Sequence, residues 1–197
     1  MFDTETTGIP PSDPTGKCKY APYSQWGNQC RLLQLAWQVR GSNGECLARE
    51  TRYVAPEEGL VIPEAAAAVH GITLDVLQDP QNGATPVASV LTEFFEVFQR
   101  FPVELIVAHN LPFDYHVILY ELYRQKRPVP LVWKETPGYC TYRQGRRLAP
   151  MGVSGKLTGL YSHFVEPWDT CALKEHTRLH HADSDVEVCW RLFEALY

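Results

Sequence analysis

The sequence predicts one α/β domain over residues 1–197, built on a mixed central sheet of about five strands flanked by helices. Segments 31–40 and 45–54 alternate apolar and polar residues as strands do, and Gly41-Ser42-Asn43-Gly44 between them is a hairpin signal. Downstream, helical patterns alternate with short apolar runs, so the later strands return through helical crossovers. A chain of 197 residues, 45% hydrophobic and 21% charged, can bury one sizeable core and leaves little room for a second.

The elements follow in order. Residues 1–8 open as a strand that ends in Thr6-Thr7-Gly8. Residues 9–30, with prolines at 10, 11, 14 and 22, read as a long surface loop. Two roles are open for its Tyr20, Tyr23 and Trp26: stacking on bases at roughly 1–3 kcal/mol each, or pinning the loop to the core. Residues 31–40 and 45–54 form the antiparallel hairpin. Residues 62–71 form a short helix, with Pro63 in its first turn and His70-Gly71 at its end, and Thr73 is suited to cap the next one. Over 85–100, Val87, Val90, Leu91, Phe94, Phe95 and Phe98 fall at helical spacing. A short buried strand at 103–108 leads to a helix at 113–125 that stops before Pro128. A short strand at 139–142, a helix at 156–164 and a last helix at 181–196 complete the chain, the last burying Val186, Val188, Cys189, Leu192, Phe193 and Leu196.

Composition narrows the classes. Six cysteines, at 18, 30, 46, 140, 171 and 189, show no CxxC spacing and no preceding secretory signal, which points to a reduced intracellular setting without disulfides or structural zinc. The longest apolar run, residues 65–69, is far short of the about 20 residues of a membrane span, so no membrane partner is expected. A net charge of −5 argues against a broad nucleic-acid surface, although carboxylates that hold cations would lower the formal count. Basic residues gather at Arg124-Gln125-Lys126-Arg127 and at Arg143-Gln144-Gly145-Arg146-Arg147, the second read as a glycine-containing loop that either tracks phosphates or is simply solvated.

Three segments carry chemistry. Asp3 and Glu5, two apart on a strand, point to the same side, as a divalent-cation site requires. His109-Asn110-Leu111-Pro112-Phe113-Asp114 lies where a strand passes into a helix, and His180-His181-Ala182-Asp183-Ser184-Asp185 opens the final helix. Together they offer four carboxylates and a histidine. A phosphodiester resists attack because its oxygens are already negative, and a pair of divalent cations neutralises the charge that grows on the attacking and leaving oxygens. Oxygen donors suit Mg²⁺ or Mn²⁺ rather than zinc.

In these segments the chain resembles the DEDDh 3′-5′ exonucleases, whose pattern is D-x-E-T-x-G, then H-N-x-x-F-D, then H-x-A-x-x-D, with a V-H-G-I-T element matched by Val69-His70-Gly71-Ile72-Thr73. The resemblance covers nearly the whole chain and departs at the start, where only Met1 and Phe2 precede Asp3 in place of several apolar residues. It implies a ribonuclease H-like fold and stepwise release of nucleoside 5′-monophosphates from a 3′ end, with two Mg²⁺ or Mn²⁺ ions as cofactors. Asp3 would bridge the ions, Glu5 and Asp185 would hold the one carrying the attacking water, and Asp114 would serve the other. His180 would take the proton. It is preferred to His181 because the acid expected five residues on is Asp185, whereas Val186 stands at that step from His181. Thr6, Thr7, Gly8, His70, Gly71, Ile72, Asn110 and Phe113 would lie along the substrate, with an ordering role at the strand–helix junction weighed for Asn110, a core role for Phe113 and a helix-ending role for Gly71. The implied partner is a nucleic acid with a 3′ end, single-stranded DNA or else RNA, with a polymerase or a second copy of the chain as a protein partner. An RNA-specific exoribonuclease or oligoribonuclease is the rival enzyme, and a nucleic-acid-binding or polymerase accessory module with weak catalysis is the rival of another class.

Overall fold

The structure, a computed structural model, describes residues 1–166 and 181–197. The chain opens with β1 (Phe2–Thr6), crosses a long loop containing a 3₁₀ turn at Tyr23–Gln25, and continues as β2 (Leu32–Arg40) and β3 (Cys46–Tyr53). There follow α1 (Glu64–His70), α2 (Leu74–Gln78), α3 (Val87–Arg100), β4 (Ile106–Ala108), α4 (Leu111–Arg124), α5 (Leu131–Glu135), β5 (Gly138–Cys140), α6 (Thr141–Leu148), α7 (Leu157–Phe164) and α8 (Ala182–Leu196).

β1, β2 and β3 form an antiparallel ladder in that order, and β4 pairs with β5 in parallel. The expected mixed α/β architecture holds, and among the described residues its strands fall into ladders of three and two. β4 lies beside β1, but the Thr4 N–H donates to the Asp114 carboxylate at 3.1 Å, so a side chain takes a strand-edge donor that a ladder would use.

The two faces of the antiparallel ladder are covered differently. Phe2, Leu35 and Trp37 face α3, where Phe94 packs against Phe2 and Trp37 with ring centroids 5.6 Å from each. Asp3, Glu5, Gln34, Ala36 and Gln38 share the opposite face, set by the registers Asp3↔Ala36 and Glu5↔Gln34. That face receives α8: Ala36 is small enough for Ala182 and Val186 to pack on it. The Gln38 amide donates to Glu187 at 3.1 Å, and Arg40 pairs with the same carboxylate at 2.5 Å.

Elsewhere several expected boundaries shift. The strand placed at 103–108 begins only at Ile106, after Pro102, and the strand placed at 139–142 ends at Cys140. The basic segment 143–147 is not a loop but part of α6, whose first turn is capped by Cys140 Sγ accepting from Arg143 N–H. Gly145 serves packing there, since a Cβ would come within 2.4 Å of Leu160 on α7. The five residues of α5 are too few to show a helical period in the sequence. In the long loop, Trp26 is 1% exposed with its indole N–H on Ala21 C=O, and the Tyr23 hydroxyl meets His116 Nδ1 at 2.7 Å, so these aromatics pin the loop to α4.

A buried ion network locks α4 to the start of β2. Glu121 is fully buried and accepts from Arg31 Nε at 3.1 Å, Leu32 N–H at 3.1 Å and Arg124 at 2.7 Å, while Glu57 holds the outer ends of both arginines. Removing one member of such a network leaves buried charge uncompensated. Glu121→Ala is expected to lower stability by about 3–5 kcal/mol in a urea titration, the scale for a broken buried ion pair.

Candidate active site

Asp3, Glu5 and Asp185 come together: one carboxylate oxygen from each lies within 4.8 Å of the others, and all three side chains are half-buried. Strand alternation puts Asp3 and Glu5 on the α8 face, and Asp185 stands in the first turn of α8, where its N–H bonds His181 C=O at 3.0 Å. The first acids of the chain thus meet one of the last because a small-residue contact, Ala36 against Ala182 and Val186, lets helix and sheet approach.

Asp114 reaches the same region from the other side. It is 2% exposed, and its Oδ1 accepts from both the Thr4 N–H at 3.1 Å and the Thr4 hydroxyl at 2.7 Å. Thr4 points away from the face that carries Asp3 and Glu5, so Asp114 is held at the edge of β1, outside the tight trio. Thr4 was not singled out from the sequence. The signal was its place between the two acids, where an alternating strand must turn it toward the next layer.

Around this centre, the V-H-G-I-T element is bonded to the end of β1. Ile72 N–H donates to His70 Nδ1 at 3.0 Å, which puts the ring proton on Nε2 for the bond to Thr6 C=O at 3.1 Å. Gly71 ends α1 with φ 73°, a left-handed conformation, and Ile72 is buried in a small core with Leu33, Leu60 and Leu77. The Thr6 hydroxyl donates to Gly8 C=O, while that of Thr7 accepts from Arg31 N–H and donates to Asn28 C=O. Gly8 fits because a Cβ would sit 2.9 Å from Gln29 C=O. Asn110 takes a left-handed φ of 63° at the entrance to α4, a conformation asparagine tolerates, and turns the chain sharply from β4 toward Asp114. Phe113 packs partly buried against the main core. His109 is structural: its Nε2 bonds Gly155 C=O, its Nδ1 bonds the Thr141 hydroxyl, and burial holds its pKa down at about 4. His180 lies outside the described residues.

The electrostatics report crowding of like charge. Burial, then Asp114, Asp185 and Glu5, push the Asp3 carboxyl well above its ordinary range. Burial and then Asp185 push Glu5 up to about 8, and burial, reinforced by Asp185 against the Thr4 hydrogen bonds, puts Asp114 at about 7.

The family model for exonucleases of the RNase T type matches residues 1–193. The chain belongs to this exonuclease family. The resemblance read from the three motifs is borne out, and the family depends on divalent metal. A DNA polymerase III subunit epsilon-like protein from Rhodobacter capsulatus is 35% identical over 115 residues, 58% of this chain and 13% of that protein. The 3′-5′ exonuclease DinG of Bacillus subtilis is 27% identical over 193 residues, 98% of this chain and 17% of DinG. This chain therefore spans less than a fifth of either relative. E. coli Exonuclease I, solved with a dT13 oligonucleotide, superposes with TM-score 0.71 at 19% identity, covering 99% of this chain and 40% of that one. Exonuclease X, solved with a 5′ overhanging duplex, gives 0.61 at 20% identity, covering 98% and 86%. These likenesses make the fold ribonuclease H-like. Among the described residues no helix is long and apolar enough to cross a membrane.

The donor set fits a hard divalent cation. It is all carboxylate oxygen, and burial followed by mutual repulsion raises the proton affinity of Asp3 and Glu5, both of which bound positive charge would offset. A raised carboxylate pKa favours the folded state below the ordinary range near about pH 4, and that contribution fades as pH rises through about 7 for Asp114 and about 8 for Glu5. In EDTA, the melting temperature should fall as pH rises across this window. Added Mg²⁺ should raise it, and by more at the alkaline end, in paired thermal melts.

Proposed function

We propose that residues 1–197 act as one metal-dependent 3′-5′ exonuclease unit, which releases nucleoside 5′-monophosphates from the unpaired 3′ end of a DNA strand by hydrolysis. The observation that carries this reading is the convergence of Asp3, Glu5 and Asp185, with their carboxylate oxygens within 4.8 Å. Asp114 stands beside them on its Thr4 anchor. The relatives called 3′-5′ exonuclease or polymerase epsilon-like, and the neighbours solved on DNA, support the same direction and substrate.

Asp3, Glu5, Asp185 and Asp114 would hold two Mg²⁺ or Mn²⁺ ions, which supply positive charge to the attacking and leaving oxygens of the scissile phosphate. The chain's own groups do the remaining work. His180, five residues before Asp185, accepts the proton from the attacking water, a task suited to an imidazole whose unperturbed pKa is about 6.5. Thr6, Thr7 and Gly8 form the rim that follows Glu5, and the His70–Ile72 element bonded to Thr6 forms the adjoining wall, together with Asn110 and Phe113 at the start of α4. The terminal nucleotide lies along that rim and wall.

A 3′-labelled oligonucleotide incubated with Mg²⁺ should lose mononucleotides stepwise, with EDTA and Asp3→Ala abolishing release. DNA and RNA versions, paired and unpaired, assign the substrate, and unpaired DNA should be degraded fastest. Intact oligonucleotide in every arm would refute the reading. His180→Ala should cut turnover by about 10²–10⁴, the scale of a lost general base, while leaving Mn²⁺ affinity unchanged in calorimetry.

A further inference from the structure

Gln34 stands at the centre of β2, directly opposite Glu5 in the register, and is 1% exposed. A buried amide must place its polar atoms, and this one places its Oε1 on the backbone: the Ala182 N–H donates to it at 3.1 Å. Ala182 is the first residue of α8, and its N–H is one of the donors that a helix leaves unpaired at its start. The usual device, a capping side chain just before the helix, is absent, since His181 at that position makes no side-chain cap bond. A glutamine from the sheet fills the role. The bond therefore joins the strand position facing Glu5 to the helical turn that carries Asp185, three residues further on.

We propose that Gln34 is a positioning residue for the cation site: by accepting the Ala182 N–H, it sets where Asp185 stands relative to Asp3 and Glu5. The inference rests on the metal-dependent reading above. Two neighbours on the same face mark the contrast. Gln38, four residues along β2, binds Glu187 on the second turn of α8, and Arg40 duplicates that tie. Arg49, opposite Gln38 on β3 and itself exposed, reaches Asp183 C=O at 3.1 Å. Of these contacts, Gln34 alone joins the buried face beside Glu5 to the first N–H of the helix.

Losing a partner outside the ligands themselves typically weakens metal affinity by about 10- to 100-fold. Gln34→Met keeps length and bulk but loses the acceptor. Calorimetric titration with Mn²⁺ should show that drop for Gln34→Met. Gln38→Met should melt earlier than the parent and bind Mn²⁺ as the parent does. Hydrogen exchange should quicken in the first turn of α8 in Gln34→Met only. Parent-like Mn²⁺ affinity in Gln34→Met, or an equal loss in Gln38→Met, would overturn the proposal. These readouts stand apart from hydrolysis. A parent protein that binds Mn²⁺ but leaves every oligonucleotide intact would instead sink the exonuclease reading.

Discussion

Carboxylates brought together against their own repulsion are the constraint around which this fold is arranged. Nothing in the attraction between Asp3, Glu5, Asp114 and Asp185 assembles them; each is delivered by an element whose stability comes from elsewhere. β1 is fixed by its ladder with β2 and by Phe2 in the aromatic core. α4 is fixed by the Arg31–Glu121–Arg124 network and by the loop aromatics. α8 is fixed by the polar face of β2 and by its contacts with α7. The scaffold holds the acids where burial and like charge raise their proton affinity, an environment that a bound cation would offset.

The acids also approach from two layers. Asp185 comes down onto the face that bears Asp3 and Glu5, whereas Asp114 comes around the edge of β1 and takes the amide and hydroxyl of Thr4. At Thr4 the edge of β1 toward β4 is taken by a side chain in place of a ladder bond. The arrangement leaves three carboxylates as a tight group and the fourth as a firmly hydrogen-bonded neighbour.

Much of this was legible in the sequence, for physical reasons that can be named. The hairpin of β2 and β3, the amphipathic α3 and the final helix repeat their patterns over enough residues to declare themselves. The acidic motifs were legible because a strand places i and i+2 together and the chemistry admits few alternatives. What was not legible depends on tertiary contact. Gly145 looks like a loop residue until Leu160 is seen against it, and Tyr23 looks free to stack on a base until His116 is seen beside it. Thr4 fills the variable position of a motif and Gln34 belongs to none, since each matters only through a partner more than a hundred residues away.

That wide separation has a consequence for how the site is kept together. Asp3 and Glu5 stand on β1, and Asp185 reaches them only when α8, far along the chain, is laid across β2. The trio is therefore complete only where α8 lies across β2, so local opening of that contact would separate Asp185 from Asp3 and Glu5.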